Sequence, residues 1–358
     1  MKLLALAGLA AAAILTYLLA WPVPISPQPW TPPKLSNDYP YNDKLQAIEK
    51  LAPGVGVGPE GISLDAQGRI YAGFLDGRVM RFAADGSGAE LLANTGGRPW
   101  GTHAEADGSS VLVADPVKGL LRITPGHVDV LATQADGVPF GQTDDVDEAT
   151  DGMIYFTDAS SRYGINMMMA DVFAHGDNGR LMRFDPSSKK VTTLLSGLHI
   201  ANGLAIGPDE AYILVNETSQ YRVVRYWLKG EKAGTSEPFI ENLPGFPDNI
   251  SYNGRDGFWL ALYAPRDPVL DAILPYGWLL KLAYRIPAPL LPKPKKHAWV
   301  LKLDLNGKVV SDLQYRGADA YASTTSVRER DGMLYFGSID FPALGRMPLP
   351  TPLAAASP

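Results

Sequence analysis

The sequence contains no cysteine among its 358 residues. This excludes disulfide bonds, thiolate nucleophiles and zinc sites with sulfur ligands, so oxygen atoms and the five histidines are the only metal ligands available. The chain also lacks a large excess of one charge, since 38 acidic and 32 basic residues give a formal net charge of -6. This balance gives no electrostatic reason to expect a nucleic-acid partner. Nothing in the pattern predicts a protein partner or an oligomeric state.

One uncharged apolar run lies near the N-terminus, at residues 3–21. At about 1.5 Å per residue, this run as a helix nearly spans a hydrocarbon core about 30 Å thick. Residues 1–21 are therefore predicted to form a transmembrane or signal-anchor helix. A cleaved signal peptide is the alternative, but the run is long for one and is followed by Pro-Val-Pro instead of a small-residue cleavage site. Lys2 places the remaining chain on the non-cytoplasmic side of the membrane, in the periplasm, a lumen or the cell exterior, and cleavage would make the protein secreted.

One sequence pattern recurs along the chain. It consists of small or polar residues, an apolar strand, a Gly/Asp turn and a second β-rich strand. Its six copies begin at Pro59, Pro99, Thr143, Ala201, Pro247 and Ser323. Repeated units of this length predict an all-β six-bladed β-propeller, in which the blades pack around a central channel. An open β-sandwich is the alternative, but sandwiches do not repeat one phrase six times. Residues 44–51 are expected to supply a strand that closes the ring.

These patterns predict the division of the chain into segments. An N-terminal helix at 1–21 and a Pro-rich spacer at 22–43 precede the propeller at 44–348, and a tail occupies 349–358. A Met-rich insertion interrupts the third copy at 165–175. A longer insertion interrupts the fifth copy at 267–296, where Asp267-Pro268 is typical of a helix start. Because the longer insertion combines an apolar run with basic residues, it is either a lid over the channel mouth or a helix at a lipid interface.

The starts of the inner strands are expected to converge, because equivalent positions of all blades face the propeller axis. These positions hold Glu60, Trp100, Asp144, Asn202, Asp248 and Thr324. Carboxylates in a narrow channel repel one another and lose hydration unless a hard cation with oxygen ligands lies between them, and calcium fits this requirement best. Magnesium prefers to keep its waters, and zinc would recruit histidine or cysteine. Another divalent cation remains an alternative, as do solvated carboxylates without a metal.

Several motifs carry a family resemblance. They are YFTDASSRY at 155–163, GRLMRFDP at 179–186, ANGL at 201–204, RYWLKG at 225–230 and LPGFPDNI at 243–250. In combination they resemble the strictosidine synthase-like group, whose membrane-anchored branch includes the adipocyte plasma membrane-associated proteins. More widely, the pattern is similar to the calcium-dependent propellers of the gluconolactonase and paraoxonase type.

The resemblance to these hydrolases implies one calcium ion in the channel. It is expected to be held by a glutamate of blade one, asparagines of blades three and four, and an aspartate of blade five. Glu60, Asn202 and Asp248 match this pattern. Asp144 stands where asparagine is usual, which is expected to tighten cation binding.

The reaction that the resemblance implies is hydrolysis of a small-molecule lactone or aryl ester. The cation would polarise the carbonyl group, and Asp248 is the expected base. Residues expected in the pocket or around the ligands are Asn249, Asp145, Trp100 and Thr324. Trp100 replaces the blade-two histidine of paraoxonases, so a mechanism driven by imidazole is not predicted.

Two other functions stay open from the sequence. Strictosidine synthases condense an amine with an aldehyde, and their acid-base glutamate precedes the sixth inner strand, where this chain has Thr324-Thr325. A non-catalytic propeller displayed on a membrane for binding is the second alternative. Such a protein would hold a cation in the channel but would not turn over substrate.

Overall fold

The computed structural model describes residues 2–35 and 39–350. Six four-stranded antiparallel sheets form within this part of the chain, which confirms the predicted six-bladed β-propeller. The first strands of successive blades contact one another in a closed ring. The channel is therefore lined by the first strands, as the repeat pattern requires.

The strands are numbered in chain order. The ring-closing strand is β1 (Glu49–Leu51). Blade one contains β2 (Ile62–Leu64), β3 (Ile70–Gly73), β4 (Arg78–Phe82) and β5 (Glu90–Asn94). Blade two contains β6 (Thr102–Ala104), β7 (Val111–Asp115), β8 (Gly119–Thr124) and β9 (His127–Ala132), followed by the short hairpin of β10 (Gln134–Ala135) and β11 (Val138–Pro139). Blade three contains β12 (Thr143–Glu148), β13 (Ile154–Asp158), β14 (Gly179–Asp185) and β15 (Lys190–Leu198).

The remaining blades have the same arrangement. Blade four contains β16 (Ala201–Ile206), β17 (Tyr212–Glu217), β18 (Arg222–Trp227) and β19 (Ser236–Ile240). Blade five contains β20 (Gly245–Tyr252), β21 (Gly257–Pro265), β22 (Ala298–Asp304) and β23 (Val309–Tyr315). Blade six contains β24 (Thr324–Arg330), β25 (Met333–Ser338) and β26 (Leu344–Pro348). The helices are α1 (Lys2–Ala20), α2 (Met168–Ala174), α3 (Pro268–Ile273) and α4 (Gly277–Arg285), and short 3-10 turns lie at Lys44–Ala47, Ile165–Met167, Pro208–Glu210, Thr218–Gln220 and Ala288–Leu290.

The second strand of a blade is buried on both faces. All residues of β7, β13 and β17 are buried, because each of these strands lies between a neighbouring blade on either side. This explains why the sequence shows continuous apolar runs there instead of an alternation. The outermost strands, such as β9, are largely exposed.

The ring is closed by pairing the two ends of the propeller. Strand β1 pairs antiparallel with β26 and becomes the outer strand of blade six. The Arg346 guanidinium binds the Glu49 carboxylate at 2.8 Å, and the buried Leu51 packs in the core with Ile62 and Phe82. The predicted closing strand is confirmed at Glu49–Leu51, and the edge of blade six is covered.

The two insertions and the Pro-rich segment pack together. Residues 22–35, α2, α3 and α4, which we call the cap, share a core that includes Ile25, Phe173 and Leu280. The backbone N–H of Gln28 donates to the Ala174 carbonyl at 2.8 Å. The segment expected to be a spacer has no helix or strand over residues 22–35, but it packs on the helices of the cap, with Ile25 buried and Val23 and Trp30 partly buried.

The cap lies at the rim where the inner strands begin. Thr143, the first residue of β12, pairs with Asp158 at the end of β13, and Gly245 at the start of β20 pairs with Pro265 at the end of β21. Both insertions leave the sheet directly after these ends. The cap and the candidate ligands are therefore on the same face of the propeller.

Two of the helices, α3 and α1, have a clear local cause. The helix start predicted at Asp267 is confirmed, because its carboxylate accepts hydrogen bonds from the N–H groups of Val269 and Leu270 at 2.8 and 3.0 Å. Helix α1 has no buried residues and a mean hydropathy of 2.3 over its most apolar window. By length and composition it can cross a membrane.

Candidate functional site

The starts of the inner strands approach one another closely around the axis. Glycine follows the channel residue in blades one, two and four, as Gly61, Gly101 and Gly203. A Cβ atom at Gly101 would lie 2.5 Å from the Cα atom of Asp145 in blade three, and one at Gly203 would collide with the Cα atom of Asn249 in blade five. Only glycine permits this approach of neighbouring backbones.

Blades one and five meet through hydrogen bonds at the axis. The Asn249 carboxamide donates from Nδ2 to Glu60 Oε1 at 2.8 Å and, more weakly, to Asp248 Oδ1 at 3.4 Å. All three side chains are buried. The structure therefore brings together three residues that the repeat alignment placed at equivalent or adjacent positions.

The carboxyl groups of the channel raise one another's pKa values. Burial, followed by the charge of Asp145, raises the pKa of Glu60 to about 7. Burial, followed by the charge of Glu60, raises the pKa values of Asp144 and Asp248 well above their usual range. Burial also raises the pKa of Asp145 to about 6. Four carboxyl groups thus lie within mutual electrostatic reach in a dehydrated channel.

Two arginines partly compensate this charge. Arg98 is buried beside Glu60, with its guanidinium donating to the carbonyls of Gly58 and Ile339 at 3.0 Å each. The charge of Arg328 lowers the pKa of Asp145. With all groups ionised, four carboxylates and two guanidinium groups leave an excess of two negative charges. A divalent cation would neutralise this excess.

Several buried oxygen atoms at the site have no hydrogen-bond partner. Within residues 2–35 and 39–350 they include Glu60 Oε2, Asn202 Oδ1 and Asn249 Oδ1. Buried acceptors are normally satisfied, so these atoms have capacity left to bind a cation or accept from a donor. In the same part of the chain, no group of three or more Asp, Glu or His side chains is placed to hold a metal ion. A cation here would therefore need carboxamide oxygens in addition to carboxylates.

The backbone carbonyls of three expected ligands are held by neighbouring side chains, and that of Asp144 accepts from the Gly101 N–H at 2.8 Å. The bonds run from Thr325 Oγ1 to Glu60 O at 2.8 Å, from Thr157 Oγ1 to Asn202 O at 2.6 Å, and from Asn216 Nδ2 to Asp248 O. Because these donors lie on other strands, they fix the position of each ligand residue relative to its neighbours.

The other expected pocket residues have different surroundings. Asp145 accepts hydrogen bonds from the N–H groups of Val146 at 2.9 Å and Leu204 at 3.0 Å, so it ties blade three to blade four. The Thr324 hydroxyl donates to the Tyr321 carbonyl at 2.6 Å. Trp100 is buried, and its indole N–H has no partner among the described residues.

Sequence reasoning missed Tyr263 and Asn216. Burial, followed by the charge of Asp248, raises the pKa of Tyr263, which places this residue beside the site. Both residues lie near the ends of second strands, whereas the repeat argument compared only the starts of first strands. The available signal was a polar side chain near the end of an apolar run, LVN in blade four and LALY in blade five.

Comparison with known proteins gives two matching family models. They are strictosidine synthase over residues 144–231 and the strictosidine synthase-like N-terminal family over residues 37–82. STRICTOSIDINE SYNTHASE-LIKE 10 of Arabidopsis thaliana is 35% identical over 316 residues, which cover 80% of this chain and 84% of that protein. The chain belongs to the strictosidine synthase-like family. The resemblance identified from the sequence motifs is confirmed.

This strictosidine synthase-like chain is also similar to animal proteins and to solved structures. Adipocyte plasma membrane-associated protein of Salmo salar is 30% identical over 344 residues, covering 89% of this chain and 82% of that protein. A gluconolactonase from Xanthomonas campestris has a TM-score of 0.61 at 17% identity, covering 92% and 99% of the two chains. Regucalcin from Agrobacterium tumefaciens, described as a calcium-binding protein, has a TM-score of 0.58 at 15% identity, covering 82% and 90%. At these identities the solved structures show that the fold is shared.

The family matches cover part of the site. The two matched ranges of the strictosidine synthase-like models contain Glu60, Asp144 and Asn202, whereas Asp248 lies beyond both. Asp248 is tied to the matched region through Asn249, which donates to Glu60. The geometry of the site is thus the evidence that connects Asp248 with the other candidate ligands.

Proposed function

We propose that this strictosidine synthase-like protein is a calcium-dependent hydrolase of lactones or aryl esters, with its active site in the propeller channel. The observation that carries the proposal is that Glu60, Asp144 and Asp248 are buried within electrostatic reach of one another and raised in pKa, while carboxamide oxygens at the site have no partner among the described residues. Buried acids with strongly shifted pKa values in a channel are typical of functional sites. The gluconolactonase fold of a structural neighbour supports this reading.

The donor set suits a hard cation. We assign Glu60, Asn202, Asp144 and Asp248 as its ligands, because calcium prefers oxygen atoms. No three acidic side chains of the described residues are already placed to hold a metal ion, so these side chains would have to move closer together on binding. The unpartnered Glu60 Oε2 and Asn202 Oδ1 supply free acceptor capacity for this purpose. When bound, the cation would polarise the carbonyl group of the ester and stabilise negative charge on its oxygen.

The chain itself would supply the proton transfer. When the charge of a bound cation keeps Asp248 ionised, its carboxylate would accept a proton from the attacking water as the water oxygen bonds to the carbonyl carbon. The bond from this carbon to the leaving oxygen then breaks, and the proton passes to that oxygen, which gives a carboxylic acid and an alcohol or phenol. Asn216 holds the Asp248 backbone in place, and the channel walls exclude bulk water.

The amine-aldehyde condensation of strictosidine synthases fits the site less well. Thr324 and Thr325 stand where that reaction is expected to need a glutamate, and their hydroxyls donate to Tyr321 O at 2.6 Å and Glu60 O at 2.8 Å. Neither side chain is an acid, and both are committed to backbone carbonyls. Hydrolysis is therefore the function that this chemistry favours.

We also propose that α1 anchors the protein in a membrane, with the propeller on the non-cytoplasmic side. The helix is uncharged after Lys2, and none of its residues is buried by the propeller. Relatives named for association with the adipocyte plasma membrane match most of the chain, which supports an anchor.

The hydrolase proposal is tested with purified protein and a panel of lactones, aryl esters and organophosphates. Activity is measured before chelation, after chelation and after calcium is returned. Asp248→Asn keeps the size of the side chain but removes its charge, so it should lower hydrolysis by more than about 10²–10⁴-fold, because base catalysis and cation binding are both lost.

A matched control separates this effect from loss of stability. Asp65 is buried like Asp248 but lies after β2, at the rim opposite the candidate site. Its carboxylate accepts hydrogen bonds from the Arg69 N–H and the Tyr71 hydroxyl. Asp65→Asn should lower stability and leave calcium-dependent activity intact. Calcium-dependent melting without turnover of any substrate would identify a binding propeller instead. If Asp248→Asn changes neither activity nor calcium-dependent melting, the proposed site is wrong.

A further inference from the structure

The blade-five insertion exposes four large apolar side chains. Val269, Tyr276, Trp278 and Leu290 are 62%, 53%, 64% and 74% exposed. All four lie in the blade-five insertion, on α3, at the start of α4 or in the segment after it. Exposed apolar groups of this kind mark contacts with a protein or a lipid surface.

Helix α4 has two distinct faces. Leu280 and Ala283 are buried in the core of the cap. Trp278, Lys281 and Arg285 are separated by three and four residues, so they lie along one face, which points away from that core. This face combines an aromatic ring with two basic groups, as in helices that lie at a lipid interface.

This face of α4 is joined to the end of α1. Arg285 donates from Nε to the Trp21 carbonyl at 2.7 Å and from its guanidinium to the Leu18 carbonyl at 3.0 Å. In return, the Tyr17 hydroxyl donates to the Arg285 carbonyl at 3.0 Å. The guanidinium thus satisfies carbonyls at the C-terminal end of α1 that have no partner within the helix.

The charge of the insertion opposes that of the whole chain. Residues 267–296 contain two acids, Asp267 and Asp271, and five bases, which are Lys281, Arg285, Lys293, Lys295 and Lys296. The Asp267 carboxylate caps the first turn of α3. The Asp271 carboxylate accepts a hydrogen bond from the Tyr221 hydroxyl at 2.7 Å, so it is turned toward the propeller. The chain as a whole carries a net charge of -6. A basic, apolar surface on an acidic protein suits anionic lipid headgroups.

We propose that the blade-five insertion lies in the headgroup layer of an anionic bilayer beside α1, so that the capped channel mouth faces the membrane. The inference rests on the proposed anchoring by α1. The aromatic and aliphatic side chains at 269–290 enter the interface, and the lysines at 281–296 meet lipid phosphates. Because the cap and the candidate ligands share one face of the propeller, a substrate reaches the channel from the membrane side.

The absence of cysteine makes site-directed spin labelling a direct test. The full chain is reconstituted in vesicles of phosphatidylcholine and phosphatidylserine, with one introduced cysteine carrying the label. Leu290→Cys reports on the insertion, and Ala11→Cys reports on α1. Val310→Cys is the matched control, because Val310 is 54% exposed on the outer strand β23. Collisions of each label with lipid-soluble oxygen and with a water-soluble nickel chelate are compared.

The label at 290 is expected to have an oxygen-to-nickel collision ratio several-fold above that at 310, approaching the ratio at 11. Adding Trp278→Ser to Leu290→Cys should lower the ratio at 290, as should replacing phosphatidylserine by phosphatidylcholine. The membrane contact is overturned if the label at 290 is as accessible to nickel as the label at 310. If the label at 11 is in lipid in the same experiment, the anchor still stands. Protection of 290 from both reagents identifies a lid or protein contact and also overturns it. A label at 11 that is open to nickel refutes the anchor itself.

Discussion

Glu60 is the residue on which most contacts of the candidate site converge. Its Oε1 accepts from Asn249, its Oε2 has no partner among the described residues, and its backbone carbonyl accepts from the hydroxyls of Thr325 and Ser326 at 2.8 Å each. One oxygen is therefore used to position the side chain, and the carboxyl group also lies within hydrogen-bond reach of the Asp248 side chain.

Glu60→Gln should weaken calcium binding more than it disturbs the fold. The change keeps the size of the side chain but removes one of the charges that balance the cation, so affinity should fall at least about tenfold, or about 1.4 kcal/mol. Because ligand binding stabilises the native state, the melting temperature at limiting calcium should fall. The measurement is thermal unfolding across a calcium titration.

Glu90→Gln serves as the comparison, since Glu90 is an exposed glutamate paired with Arg81 on β4. Its calcium midpoint should equal that of the unchanged protein. Equal midpoints for Glu60→Gln and the unchanged protein would remove Glu60 from the ligand set.

His175 is expected to make the stability of the folded protein depend on pH. Its ring stacks on Trp30 with centroids 4.8 Å apart, and its Nε2 hydrogen-bonds the Ser219 carbonyl at 3.0 Å. Burial lowers the pKa of His175 from 6.5 to about 4. The folded protein therefore keeps this imidazole neutral at pH values where the unfolded chain protonates it.

The depressed pKa of His175 determines the sign of the pH dependence. The contribution to stability is complete above about pH 6.5 and is lost as pH falls toward about 4, because the unfolded state binds the proton more readily. A shift of this size corresponds to at most about 3 kcal/mol. His175→Gln should flatten the dependence of urea unfolding on pH in this window, whereas His127→Gln, at an exposed position, should not. An unchanged slope in His175→Gln would contradict the assignment.

At the scale of single elements, the closing strand β1 contributes much more stability than its three residues suggest. It supplies the outer strand of blade six and buries Leu51 against the core of blade one. Blades one and six are not consecutive in the chain, so the ring closes through non-covalent contacts, which include the pairing of β1 with β26 and the bonds from Thr325 and Ser326 to the Glu60 carbonyl. Strand β1 is therefore expected to help hold the ring of blades closed.

Leu51→Ala should destabilise the propeller by about 2–5 kcal/mol, because it removes buried apolar surface and leaves a cavity. Leu91→Ala is the matched control, because Leu91 lies on the outer strand β5 and is exposed, and its cost should stay below about 0.5 kcal/mol. Both values come from urea unfolding of the variants. Similar costs for the two leucines would show that β1 does not hold the ring closed.

At the scale of the whole molecule, the packing of residues 22–35 determines how far the N-terminus can be truncated without loss of stability. Ile25 is buried in the cap core, and the backbone N–H of Trp30 donates to the Leu274 carbonyl at 3.2 Å. The membrane helix, in contrast, buries none of its residues. The Pro-rich segment thus belongs to the folded body, and α1 is attached to it mainly through Arg285.

A chain beginning at Pro22 should lose its integral attachment, so that high salt extracts it from membranes, and should unfold close to the temperature of the full protein. A chain beginning at Pro32 should also be released but should melt several degrees lower, because it loses Ile25, Trp30 and their partners in the cap. Membrane fractionation and thermal unfolding measure the two effects. Equal melting temperatures would show that the segment contributes nothing to the fold.

The sequence by itself determined the architecture of this protein. Six copies of one phrase predict six blades, because strand alternation and turn residues are local properties that every copy repeats. The same repetition predicted which positions reach the axis, including Glu60 and Asp248. The motifs at 155–163 and 243–250 identified the family, and the uncharged run at 3–21 predicted the membrane-length helix.

Only the tertiary structure decided how these parts contact one another. The hydrogen bond from Asn249 to Glu60 joins residues 189 positions apart, and the bonds from Arg285 to Leu18 and Trp21 span more than 260. Arg98 and Tyr263 have no equivalent in the repeat phrase, so no periodic pattern could place them beside the carboxylates. Such contacts depend on how distant surfaces fit after the blades close, whereas a sequence pattern records only the preferences of neighbouring residues.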